Sequence, residues 1–325
     1  MNKSRGLVIL YEDLCEHWIR WAKEARITTL GVHKIAISGD GTVDSMDSLI
    51  KALEKDNGRR IINKLEENGV GIEYELHSLS WLLPRSLMDK NKEMFRQNPD
   101  GVRVNDKGFC PSSREAAEVI SENAYKLAKM LGQTSHNYFW WPDDANDCGC
   151  TCDKCLERKL NGADTGIIFS NAVAEGIKAY DSKAMEAYIA YADAKVLPTE
   201  KPAENVFLEF APMDRDHNKP MNAQDDERGE EYIKLLEGLL EIFPAETTHV
   251  LEYWFDNALY SDFKKPPVKI PFNDYVMDED MKMYTSYGLN NIKSFGSYLD
   301  EEYFKLHGNP PTEKYGEILA KYIEI

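Results

Sequence analysis

Apolar residues follow two periods along this chain. Short runs, continuous or alternating, take turns with longer stretches in which they recur every three or four positions. Gly6-Leu-Val-Ile-Leu10 is a short, wholly apolar run, the pattern of a strand buried on both faces. Over residues 13–25, Leu14, Trp18, Trp21 and Ala25 share one helical face, which makes both tryptophans core. Residues 34–38 form the expected second strand, ended by Gly39-Asp40-Gly41, where Asp40 sits in a common turn pair. A helix is expected over 48–68, with Gly69 just past its end. The third strand, 71–77, alternates Ile72, Tyr74 and Leu76 on one face with Glu73, Glu75 and His77 on the other. Dense turn pairs then mark a loop excursion over 98–113. A helix over 113–131 stops at Gly132, and the aromatic strand Tyr138-Phe-Trp-Trp141 runs into Pro142, which cannot donate to a ladder. A helix is expected over about 167–194, packed through Ile177, Tyr180, Ala184, Tyr188 and Tyr191. Strands at 205–210, 249–255 and 291–295 then alternate with helices at 230–243, 273–287 and from Thr312 onward.

Seven strand–helix alternations with no shift in composition imply a parallel sheet with right-handed crossovers. That is too many for a doubly wound half, and no Gly-x-Gly-x-x-Gly follows the first strand. The expected fold is α/β, a (β/α)8 TIM-type barrel forming a single domain over residues 1–325. An eighth strand is not evident: either the pattern hides it or the barrel is incomplete or distorted at one seam.

Composition narrows the partners. Hydrophobic residues make up 42% of 325, ample for a core. The formal net charge of −17 is repelled by nucleic acid and by anionic membrane surfaces. No run of about 18 apolar residues exists to span a bilayer. The start of the chain lacks the apolar core and cleavage site of a signal peptide, so as written it is expected to be cytoplasmic; removal of an export signal would make it exported. Oligomeric state is not encoded in any pattern found.

In such barrels chemistry sits at the C-terminal ends of the strands. There this chain concentrates acids and aromatic rings. Asp143 and Asp144 leave the fourth strand, and Glu75, His77, Asp214 and Arg215 flank other strand ends. Trp81, Trp141 and Trp254 lie at or just beyond those ends and suit stacking against a sugar. Facing carboxylates suit glycoside hydrolysis, one donating a proton and another attacking, activating water or holding the substrate's own nucleophile. Asp144 is assigned as general acid, kept protonated by aromatic walls, Asp143 as its ionised neighbour and Glu252 as the opposing carboxylate. Against the last assignment stands a buried acid paired with Arg or Lys inside the barrel. No serine nucleophile elbow, phosphate-binding Gly loop or His-Glu-x-x-His helix is present. A metal-dependent sugar isomerase would need converging ligands, for which only His77, His217 and His249 lie near strands. Cys148-x-Cys150-x-Cys152-x-x-Cys155 leaves two readings open, a structural zinc site made of these four thiolates and disulfides with Cys110 as an outside partner. No cofactor is required for the expected reaction.

Arg5-Gly6 at the first strand, Cys110-Pro-Ser-Ser ahead of a helix, and Pro142-Asp-Asp followed by Cys150-x-Cys152-x-x-Cys155 form a pattern with Tyr191, Pro198 and Asn205-Val. Together they resemble the bacterial domain of unknown function 4838 family. The resemblance covers most of the chain and implies a barrel like those of β-hexosaminidases and α-glucuronidases, with relatives classed as endo-acting β-N-acetylglucosaminidases. Hexosaminidase barrels carry Asp-Glu at the end of strand four, where this chain has Asp143-Asp144, the second acid one methylene shorter. The function so implied is a glycoside hydrolase-like protein acting on a β-linked amino sugar or uronic-acid-containing glycan. A non-catalytic carbohydrate-binding barrel is the alternative.

Overall fold

A computed structural model describes residues 3–34, 46–53 and 56–325. Eight strands follow one another round a closed barrel, β1 (Ser4–Leu10), β2 (Thr29–His33), β3 (Gly71–His77), β4 (Asn137–Trp141), β5 (Met185–Ala190), β6 (Val206–Phe210), β7 (His249–Glu252) and β8 (Asn291–Phe295). The closing seam is parallel, with Ser4 opposite Asn291, and β1 meets β2 with Gly6 opposite Thr29. The helices before β4 are α1 (His17–Glu24), α2 (Met46–Leu53), α3 (Asp56–Glu67), α4 (Leu79–Leu82) and α5 (Arg114–Leu131). Between β4 and β5 come α6 (Asp153–Glu157) and α7 (Gly162–Tyr180), and α8 (Arg228–Leu240) precedes β7. The last are α9 (Asn257–Tyr260), α10 (Asp274–Ser286), α11 (Glu301–His307) and α12 (Thr312–Tyr322). The chain divides into two compact units, one built on the N-terminal strands, Ser48–Glu73 and Glu209–Ile325, the other on Tyr74–Leu208.

The barrel is thus complete, and the eighth strand is β5. It lies inside the stretch expected to be one helix over 167–194. The helix ends at Tyr180, where Asp181 caps it through its backbone and its side chain accepts from Lys183 N at 3.0 Å, turning the chain. Five of the six residues of β5 are buried, Glu186 among them, so neither face is open to solvent, and the helical spacing of Ala184, Tyr188 and Tyr191 is a coincidence. The second strand also differs from expectation. Arg26 adopts φ 51°, so the chain reverses straight after α1 and enters β2 at Thr29. Residues 35–38 of the expected strand, and Asp40, lie outside the described residues. The helix expected over 48–68 is divided between α2 and α3.

Local chemistry sets both ends of α5 as expected. Ser113 caps α5 by accepting from Ala116 N, and Gly132 ends it at φ 58°, a left-handed conformation that costs glycine little. Trp18 and Trp21 are fully buried under the barrel wall. Among the described residues no helix is long and apolar enough to cross a membrane.

Candidate functional site

In the Tyr74–Leu208 unit, the loop after β4 carries two acids with opposite surroundings. Asp143 is locked. Its Oδ1 accepts from Ser80 Oγ at 2.7 Å, and its Oδ2 accepts from Gly108 N at 2.8 Å and from the Arg85 guanidinium. Arg85 also donates to Gly108 O at 2.7 Å, so one arginine ties the loop after β3 to the loop after β4. Asp144 is exposed, and its Oδ1 accepts from Tyr191 Oη at 3.2 Å. The aromatic walls expected to desolvate it lie below, since Trp140 and Trp141 are buried in β4 and Pro142 turns the chain outward. Asp144 therefore faces solvent beside a phenol.

Beneath these acids is a small hollow of ≈ 60 Å³ lined by His77, Trp141, Asp143, Cys148, Tyr188 and Tyr191 among others. His77 Nδ1 lies 2.7 Å from Pro142 O, and its ring meets Trp141 edge-on at 5.1 Å. Asp193 braces the far wall, accepting from Asp147 N at 3.0 Å and Cys148 N at 2.8 Å. Burial pushes the Cys148 thiol up to about 11, so it is neutral near pH 7. Trp81, in α4 just beyond β3, is half-buried and donates to Asp47 Oδ1 at 2.9 Å; every other tryptophan is buried. Glu75 is fully buried in β3, opposite Phe139.

The cysteines gather differently from the sequence order. The sulfurs of Cys110, Cys150, Cys152 and Cys155 all lie within 4.8 Å of one another. Cys148 is not among them, because its Sγ faces Ala145 O at 3.3 Å. Cys110, brought in by the long loop after β3, takes the place expected of Cys148.

In the unit containing Glu209–Ile325, the expected opposing carboxylate is spoken for. Both oxygens of Glu252 accept from Arg215 Nη2 at 3.0 Å, Oε1 also accepts from Tyr284 Oη at 2.5 Å, and Oε2 from Tyr253 N at 3.2 Å. Arg215 also binds Asp280 Oδ2 at 2.5 Å, and Trp254 Nε1 donates to the same oxygen at 2.8 Å. Arg215 and Glu252 side chains are 0% exposed, and Trp254 is 2% exposed. Glu252, Arg215 and Asp280 thus form a buried ion-pair network that Trp254 joins by its hydrogen bond, instead of an open catalytic or stacking face, while Asp214 is exposed next to it. Burial raises Asp280 to about 6 despite Arg215, and burial followed by Arg215 lowers His217 to about 4. Asp280 lies on the apolar face of α10 with Val276, Met277, Met281 and Tyr284. An acid at that spacing was the sequence signal for it.

The same unit holds a second acidic group, away from the strand-end residues singled out by the sequence. Asp13, three residues beyond β1, is 1% exposed and accepts from Tyr298 N at 2.5 Å. Lys265 stands 3.6 Å from it and also binds Asp300. Burial, only partly offset by Lys265, raises Asp13 to about 7. Inside the barrel Lys293 of β8 lies 3.5 Å from Glu73 of β3 and 3.6 Å from Glu209 of β6.

Among solved structures the chain is similar to the endo-β-mannanase/endo-β-glucanase of Prevotella bryantii, with a TM-score of 0.56 and 9% identity. That match covers 98% of this chain and 48% of the other, so the chain spans about half of that enzyme's length. It is also similar to a glycoside hydrolase family 5 enzyme of the same organism in complex with a xyloglucan tetradecasaccharide, with a TM-score of 0.55, 9% identity and coverage of 95% and 86%. A third similar structure is the clostridial cellulose synthase subunit Z of Clostridioides difficile, with a TM-score of 0.53, 9% identity and coverage of 98% and 99%. At such identities the likeness establishes a glycoside hydrolase-like barrel fold. Comparison with curated protein sequences finds no match. Residues 48–314 match the sequence model described as Domain of unknown function (DUF4838), and the chain belongs to that family.

Proposed function

We propose that this protein acts on a β-linked glycan containing an amino sugar or a uronic acid, as an O-glycosyl hydrolase with residues 1–325 as one barrel domain and Asp144 as proton donor. The observation that carries the reading is the contrast at the end of β4. Asp143 is held by Arg85, Ser80 and the Gly108 amide, while Asp144 stands open to solvent with the Tyr191 phenol beside it. A proton donor must reach the glycosidic oxygen, and Asp144 can. Because Glu252 is engaged on both oxygens, the reading does not use it as nucleophile. Hydrolysis assisted by the substrate's own acetamido group needs no protein nucleophile, which favours the amino sugar. Trp81, half-buried, is the ring best placed to stack on a sugar face.

The alternative, a non-catalytic carbohydrate-binding barrel, is favoured by that same engagement of Glu252. A panel of aryl β-N-acetylglucosaminides, aryl β-glucuronides and N-glycan fragments separates the two. Turnover is expected, and Asp144→Asn should lower kcat/KM by about 10²–10⁴. A loss smaller than about tenfold removes Asp144 from the role. Sugar binding by calorimetry without turnover of any substrate establishes the binder.

A further inference from the structure

The four gathered thiols play no part in the site at the end of β4, and their arrangement calls for its own explanation. We propose that Cys110, Cys150, Cys152 and Cys155 form a closed tetrathiolate zinc site that fastens the loop after β3 to the loop after β4. Zinc binds thiolate at about 2.3 Å, so a tetrahedron around it has sulfur–sulfur edges of about 3.8 Å. Cys110 Sγ lies 3.7 Å from Cys152 Sγ and 3.8 Å from Cys155 Sγ, and no pair among the four exceeds 4.8 Å. A disulfide pairs two sulfurs at about 2.05 Å and leaves the others apart. One sulfur equidistant from two partners is the signature of a shared centre. An iron–sulfur cluster would hold its thiolates further apart, since several irons and sulfides lie between them.

The backbone supplies the rest of a zinc knuckle. Cys152 caps α6, and Cys155 N donates to Cys152 O at 2.9 Å, so the Cys-x-x-Cys pair turns both sulfurs to one side. Gln97 N donates to Cys150 Sγ at 3.3 Å, the amide contact that steadies a metal-bound thiolate. Four thiolates on one zinc leave a net charge of −2, and Arg103 Nη1 stands 3.7 Å from Cys150 Sγ to offset it. Three of the sulfurs belong to buried residues, and no position is left for water or substrate, so the ion is structural. Its reach extends to the acids. Gly108 N holds Asp143 at 2.8 Å, and Cys110 follows two residues later, so the metal fixes the strand of loop on which Asp143 is hung.

The test uses the full chain produced in zinc-supplemented medium without chelator. Elemental analysis should find about one zinc per chain, and stripping it should lower Tm. Replacement by cobalt(II) should give the intense charge-transfer and visible bands of a tetrahedral tetrathiolate, a readout on the unaltered protein that does not depend on any variant folding. Cys110→Ser should lose the metal and Cys148→Ser should keep it. Folded protein with no bound metal, with iron in place of zinc, with an octahedral cobalt spectrum, or with zinc lost equally in Cys148→Ser overturns the proposal.

Discussion

A buried carboxylate takes its character from the groups around it. Glu252 and Asp280 both lean on Arg215, whose other amino group donates to Lys219 O at 2.8 Å. Arg215→Met would leave two buried acids facing each other with no cation. Removing one partner of a buried pair costs about 3–5 kcal/mol, so urea unfolding at neutral pH should show a loss of that order. An unchanged midpoint would mean that solvent already reaches the pair. Asp256 is a different case, 5% exposed and without an ionic partner near it in the contacts that set its titration. Burial raises it from 3.8 to about 6, with the Ser297 hydroxyl and the Ala258 and Leu259 amides pulling the other way. The folded state therefore holds this proton more tightly than the unfolded chain. Its contribution to stability is full below pH 4 and is lost as pH rises through about 6. Asp256→Asn should keep the cap on α9 and remove that slope. Relative to wild type the variant should gain about 3 kcal/mol between pH 4 and pH 7, two pKa units at about 1.4 kcal/mol each. Parallel urea profiles for the two proteins across that range would exclude it.

At the scale of elements, α5 and α7 pack so closely that a glycine sits where they meet. A Cβ on Gly176 would lie 2.0 Å from Ser121 O and 2.9 Å from Ala124 Cβ. Alanine gains about 1 kcal/mol of helix propensity over glycine. Overpacking costs about 1–3 kcal/mol, and here it falls on a helix backbone that cannot rotate away. Gly176→Ala should therefore lower Tm by a few degrees in calorimetry, whereas the same change at an exposed helical glycine would raise it. The element that escaped the sequence reading, β5, shows the same dependence on neighbours. A strand buried on both faces has no polar alternation, so its six residues look like a turn and a half of buried helix. The Asp181–Lys183 turn was the local clue to the break.

For the molecule as a whole, the barrel is held from inside by charge as well as by apolar packing. Lys293 is 3% exposed between Glu73 and Glu209, bringing together β3, β6 and β8. Burial first, then Lys293, keeps His249 well below its ordinary value, so that ring adds no second cation. Lys293→Met should cost about 3–5 kcal/mol at neutral pH by urea titration, because it removes the cation between two buried acids. A loss below about 1 kcal/mol would show that the lysine does not carry this load. The net charge of −17 gives the molecule no natural affinity for polyanions, which weighs toward the amino sugar over the uronic acid in its proposed glycan.

The sequence by itself determined what depends on near neighbours. Period two against period three to four placed six of the eight strands and set the second a few residues late, the alternation implied the parallel barrel, and the barrel rule put Asp143 and Asp144 at a strand end. Glycine and serine at helix ends marked their boundaries. What the tertiary structure decided was which distant groups meet. Glu252, expected as the opposing carboxylate, is an ion-pair partner because Arg215, 37 residues away, folds onto it. Asp143 was separated from Asp144 in role because Arg85 arrives from another loop. Cys110, 42 residues from Cys152, replaced Cys148 in the thiol cluster. Spacing along a chain fixes which face a side chain takes on its own element, but a carboxylate's or thiol's chemistry is set by the charge and solvent around it, and those are supplied by segments that only the closed barrel brings together.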